Sequence, residues 1–261
     1  MRMAEAMHGT TPDARWLDAL ARGAVYTFLS RAVAHPTFES RQEIEDRLIP
    51  LLSSIRLPAS CQRALDEALG ARMAPQDELL LAHGRIFTAV ESEDCPSYET
   101  AFAPGDVFRQ ANTMADVSAF YRAHGLAVGG ANRVRPDHIV AELEFMGFMG
   151  RKEALAIQEL RPGRVSECRK TQETFLRDHL GRWGPGFGRR LAVVAEYPFY
   201  RAVGALVAEW LELDLLARGI DDLERLDTPV PHPPPDDGAC GLGGGAWSAV
   251  TSEREPTEQR T

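Results

Sequence analysis

The sequence predicts an all-helical protein, on three observations. Apolar residues recur at helical spacing through most of the 261 residues, and prolines stand at the starts of those periodic stretches. No series of alternating β-branched runs joined by Asn-Gly or Asp-Gly turns occurs, so a sheet has no scaffold. Hydrophobic residues make up 44% and charged residues 26%, a balance that allows a sizeable buried core.

The elements follow in chain order. Thr11 and Pro12 read as N-cap and first helical residue, and Trp16, Leu20, Ala24 and Phe28 recur every four residues until His35-Pro36 ends the helix. Further helices are expected at about 39–52, 58–69, 75–90, 106–124, 136–160, 166–180, 187–195 and 198–217. Two long connections, 91–105 and 125–135, interrupt the pattern as functional loops do. RWGPGFG, Arg182 to Gly188, reads as a hinge before the last helical pair. After residue 226 the chain becomes rich in Pro and Gly with little apolar surface, which predicts a disordered tail. The expected organisation is a flexible N-terminus (1–12), a compact helical bundle (13–226) and the tail (227–261).

Charge narrows the function. Against 29 Lys+Arg stand 38 Asp+Glu, a net −9, which disfavours a nucleic-acid binder because a phosphate backbone demands a basic face. No run approaches the ~20 apolar residues that a membrane-spanning helix needs, and the first ten residues lack the apolar core of a secretory signal. A cytoplasmic location and no stable membrane insertion are therefore expected. The four cysteines, Cys61, Cys95, Cys168 and Cys240, form no CxxC pair and read as reduced thiols.

The most informative stretch is RPDHIVAELEFMGFM, Arg135 to Met149. Pro136 can open the helix and Asp137 can sit in its first turn, where the helix dipole favours a carboxylate. His138 and Glu142, four residues apart, then share a face. That pair could be half of a metal site, which keeps a helical metal-dependent hydrolase as the alternative function, although HExxH and any second His cluster are missing. In EDCPSYET, Glu93 to Thr100, Cys95 has no neighbouring His to activate it, and phosphate loops are absent throughout. No catalytic constellation emerges, so a binding protein is favoured.

PDHIVAELEFM resembles the helix signature of the TorD/DmsD/NarJ family, the maturation chaperones dedicated to molybdenum enzymes. EYPFYRAVGALVAEWL is similar to that family's last helix, and LLLAHGRIFTAV followed by CPSYETAF to its helix-plus-proline loop. The resemblance spans roughly Trp16 to Leu216, and CPSYET points to the branch serving dimethylsulfide dehydrogenase, ethylbenzene dehydrogenase, chlorate reductase and selenate reductase. It implies a compact TorD-like bundle without catalytic turnover or a cofactor of its own. It also implies a partner: the molybdenum-containing catalytic subunit of a DMSO-reductase-family enzyme, whose twin-arginine signal peptide is held until its cofactor is inserted.

The family's signal-peptide residues fall on Asp137 and His138, and Pro96 and Tyr98 match its loop loosely. With Pro136, Glu142 and Glu99 they make up the candidate partner-binding set. An arginine pair beside an apolar stretch calls for carboxylates next to a groove, and Glu91, Glu93, Asp94, Glu99 and Asp137 are the candidates. Substituting Asp137 or His138 is then expected to weaken binding while sparing the fold.

Overall fold

In the computed structural model, residues 14–55, 57–71, 75–87, 94–103, 105, 107–128 and 134–230 are described. Thr11, Pro12, Glu91, Glu93, Cys240 and the expected tail from residue 231 onward lie outside them. The helices are α1 (Ala14–Val33), α2 (Phe38–Glu43), α3 (Ile49–Ser53), α4 (Ala59–Ala71), α5 (Gln76–Ile86), α6 (Glu99–Phe102), α7 (Val107–Ala123), α8 (Ile139–Gln158), α9 (Pro162–Phe175), α10 (Gly181–Val194) and α11 (Pro198–Ala217). Among the described residues no strand forms, and one isolated antiparallel bridge joins Tyr98 to His138. No helix among them is long and apolar enough to cross a membrane.

Two close helix pairs organise the core. The broadest is α1 on α8, where Gly23 faces Gly147 and Gly150 so closely that backbone lies on backbone. Thr27 donates to the Gly23 carbonyl at 2.7 Å within this seam. The second pair is α10 on α11, where Gly188 meets Gly204 and Ala208 in the same manner. Between the pairs lie the large buried rings, with Phe145 and Phe175 at 4.7 Å and Phe102 and Trp183 at 5.3 Å between centroids.

Several sequence expectations change. The expected 39–52 helix is split by a π turn, Ile44–Leu48, next to Pro50, whose missing N–H and ring disturb an α-helical ladder. Thr37 caps its start, exchanging hydrogen bonds with Ser40. The expected hinge at Arg182–Gly188 is instead the buried first half of α10, with Pro185 inside the helix. Pro185 cannot donate to the Gly181 carbonyl four residues back, and the Arg225 side chain supplies that bond at 3.4 Å. Leu226 N–H likewise donates to the Arg182 carbonyl at 2.9 Å. Residues 218–230 thus form a strap that completes the hydrogen bonding of a proline-containing helix, and this keeps α10 continuous. The strap stays on the body past residue 226: Asp227 pairs with Arg189, and Val230 N–H donates to Ala101.

The 91–105 connection contains the short helix α6, and the 136–160 helix starts later than its sequence suggests. Pro136 and Asp137 precede α8, and His138 is its N-cap with φ −80° and ψ 139°. Extended backbone at His138 follows from its bridge to Tyr98, which a helix opening at Pro136 would forbid.

Candidate functional site

The site begins at that bridge. Glu99 N–H donates to the Asp137 carbonyl and Ile139 N–H to the Ser97 carbonyl, both at 2.9 Å, so the segment before α6 lies along the start of α8. The His138 ring accepts the Val140 N–H at Nδ1, 3.1 Å away, which satisfies one of the free donors of the helix start. Tyr98 stands edge-on to His138, with centroids 5.0 Å apart.

Both rings form part of the wall of a cavity of about 590 Å³. The end of α1 contributes Val33, the turn after it His35, and α5 His83. Cys95 and Ser97 precede Tyr98 in the wall, and α8 adds Phe145 and Phe148. Glu144 and Arg151 also line it, but Glu144 is engaged by Arg31 at 3.0 Å. A second cavity, about 660 Å³, lies between α5 and residues 194–197 and shares Cys95 with the first.

The three predicted carboxylates Asp137, Glu99 and Glu142 are all buried in the interior. This corrects the expectation that Asp137 faces a ligand from a first helical turn. Arg135 donates to it from Nε at 3.0 Å and Nη2 at 2.9 Å, and the Thr100 hydroxyl donates at 2.8 Å. Glu99 faces His179 Nδ1 at 3.0 Å, and His179 sits on a π turn, Leu176–Leu180. Glu142 accepts from Trp183 Nε1 at 3.2 Å while its other oxygen has no hydrogen-bond partner. Pro136 is half-buried, its carbonyl accepting the Tyr121 hydroxyl at 2.8 Å, and Pro96 is buried beside Cys95. Asp94 is exposed.

His138 and Glu142 do not share a helix face as the hydrolase alternative requires. His138 is a cap outside the helix with Nδ1 engaged, and Glu142 is held in the core against Trp183. Among the described residues no group of three or more His, Cys, Asp or Glu could hold a metal ion.

The electrostatics follow from burial. Burial, then the neighbouring His35, lowers His83 to about 4. Burial also lowers His138 to about 4, helped by His83 and Arg135 and opposed by Asp137. His83 and His138 thus face the cavity as neutral imidazoles at physiological pH. The unfolded chain takes up these protons near pH 6.5 and the folded chain only near pH 4, so stability is full above pH 6.5 and is lost on acidification through that window. Urea midpoints at pH 7 and pH 5 should show this decline, and His83→Gln should flatten it.

Glu142 moves the other way. Burial first, then the Glu99 carboxylate, pushes it well above the usual carboxylate range, so it costs stability as pH rises past the unfolded value of about 4.5. Glu142→Gln keeps a carbonyl for Trp183 and removes the repulsion. It is expected to stabilise the protein at pH 8, with the gain shrinking toward pH 5. Thermal melts at the two pH values check it.

Sequence reasoning did not find Arg135, Thr100, His179 or Trp183 as partners of the motif carboxylates. Arg135 stands two residues from Asp137 and could have been found by asking what neutralises a buried Asp. Thr100, His179 and Trp183 lie 37 to 80 residues from their partners, a separation no local pattern reports.

Comparison with known proteins places this geometry. Residues 56–189, about half the chain and inclusive of the bridge, match the family described as nitrate reductase delta subunit. The perchlorate reductase assembly chaperone protein of Dechloromonas aromatica (strain RCB) is 29% identical over 175 residues, covering 64% of this chain and 76% of that protein. The selenate reductase assembly chaperone protein of Thauera selenatis is 36% identical over 97 residues, covering 36% of this chain and 49% of that protein. The chlorate reductase assembly chaperone protein of Ideonella dechloratans is 32% identical over 100 residues, covering 38% and 49%. The matches thus span three quarters of the first relative and about half of the other two. With its all-helical fold and the motif helix at its centre, the chain belongs to the nitrate reductase delta subunit family, the TorD/DmsD/NarJ maturation chaperones that its sequence resembles.

Proposed function

We propose that the protein is a cytoplasmic assembly chaperone for a molybdenum-containing reductase of the DMSO-reductase family. It binds the twin-arginine signal peptide of the catalytic subunit and holds the subunit back until its cofactor is inserted, without catalytic turnover. The observation that carries this reading is the apolar cavity walled by Tyr98 and His138, in a chain similar to the assembly chaperones of perchlorate, selenate and chlorate reductases.

The chemistry divides the labour. A largely apolar cavity takes an apolar stretch of peptide, by the groove recognition that a partly helical segment uses. Asp94, exposed in the second cavity that shares the Cys95 wall, is the carboxylate placed to meet a guanidinium group, because Glu144 is already engaged by Arg31. Asp137 and Glu99 support binding from behind the wall by fixing the segment that carries Pro96 and Tyr98, whereas Glu142 is held in the core against Trp183.

Titration calorimetry with a synthetic twin-arginine signal peptide and with the full precursor tests the reading. Micromolar or tighter affinity is expected, weakened only in part by salt because the apolar contact persists. Absence of binding to both would overturn it.

A further inference from the structure

We propose that Arg135 is a positioning residue of this site: it clamps the segment before α6 to the start of α8 and so fixes Tyr98 and His138 in the cavity wall. What the cavity takes rests on the assembly-chaperone reading. The clamp itself rests on geometry.

One guanidinium engages both sides of the bridge. On the α8 side it grips the buried Asp137 with Nε at 3.0 Å and Nη2 at 2.9 Å. On the other side Nη2 donates to the Thr100 hydroxyl at 2.6 Å, and the guanidinium carbon stands 4.4 Å over the Tyr98 ring. Arg135 is not among the residues lining the cavity, so it acts on an occupant through Tyr98.

The backbone alone fixes this segment weakly, because the bridge is a single isolated pair and a ladder so short has little independent stability. A planar fork that stacks on a ring while donating along its edges is specific to arginine. Lysine keeps the charge and loses both the fork and the stack.

The Arg135 side chain is 35% exposed whereas Asp137 is fully buried, so Arg135→Lys leaves a cation near the carboxylate and tests the clamp with the fold intact. The probe is a fluorescein-labelled twin-arginine signal peptide with its apolar stretch, titrated into the full chain. Arg135→Lys is expected to weaken binding about tenfold with little change in melting temperature. Tyr98→Leu should weaken it too, and the double variant should be no weaker than the worse single one, because both changes break one device.

Amide exchange at Glu99 and Ile139, the two bridge donors, should accelerate in Arg135→Lys. If that variant fails to fold, Arg135→Met combined with Asp137→Asn removes both charges, keeps an acceptor for Thr100, and carries the same expectations. Unchanged affinity, additive losses with Tyr98→Leu, or unchanged exchange at the bridge would each overturn the clamp. Should the parent chain bind no peptide, the chaperone reading falls, and the exchange measurement alone decides for or against the clamp.

Discussion

Gly150→Ala is expected to lower stability by about 3 kcal/mol or more, the upper end for forcing extra volume into a packed core. A Cβ at Gly150 would lie 2.7 Å from both the Cα and the N of Gly23, and 3.2 Å from the Ala19 carbonyl oxygen. All three are backbone atoms of α1, so no side chain can rotate away and the two helices must separate. The end of α1 and the first turns of α8 both wall the cavity, so partner affinity should fall along with the melting temperature. Gly84→Ala in α5 is the control: nothing lies within 4 Å of its Cβ, and the helix should gain about 0.5–1 kcal/mol. Chemical denaturation of the two variants checks both signs. A Gly150→Ala protein as stable as the parent would mean that α1 and α8 are not in backbone contact.

Asp137→Ala is expected to cost about 3 kcal/mol, within the range for breaking a buried ion pair. The substitution leaves the Thr100 hydroxyl without its acceptor at 2.8 Å and Arg135 without its carboxylate. Because Arg135 can turn toward water, the cost stays below that of stranding a fully buried cation. At roughly 2–4 °C per kcal/mol for a domain of this size, the melting temperature should drop by about 6–12 °C. Asp137→Asn keeps an acceptor for Thr100 and should cost about half as much. A melting temperature unchanged in both variants would show that Asp137 is not paired inside the protein, as would be expected of a residue serving only to meet a ligand.

That second result bears directly on what the motif means. From the sequence, Asp137 at the start of the RPDHIVAELEFM helix and Glu99 in the loop before it are available carboxylates, and a twin-arginine partner makes that assignment attractive. The fold instead directs those carboxylates inward and leaves His138 and Tyr98 at the cavity. A local pattern reports which residues lie near a helix start but not which way the preceding residues turn. Here the turn is decided by a bridge to Tyr98, forty residues earlier in the chain. The binding role of the motif is consistent with either orientation, but the route differs: through the wall of the cavity in one case and by direct ion pairing in the other.

The same distinction runs through the molecule. Apolar periodicity and proline placement were sufficient for the all-helical class, the length of α1 toward His35, the start of α11 at Pro198 and the absence of sheet among the described residues, because each depends on spacing within a dozen residues. The motif stretches also carried the family. The sequence misread RWGPGFG as a hinge, because proline and glycine are breakers in isolation. Only the tertiary structure supplies Arg225 to the Gly181 carbonyl that Pro185 leaves open, Leu226 to the Arg182 carbonyl, and the close packing against α11 and the strap that its glycines permit. The cavity, the inward carboxylates and the neutral histidines likewise arise from segments tens of residues apart brought into one low-dielectric interior. Burial and long-range pairing, which no local pattern encodes, set the charge and direction of each of those side chains.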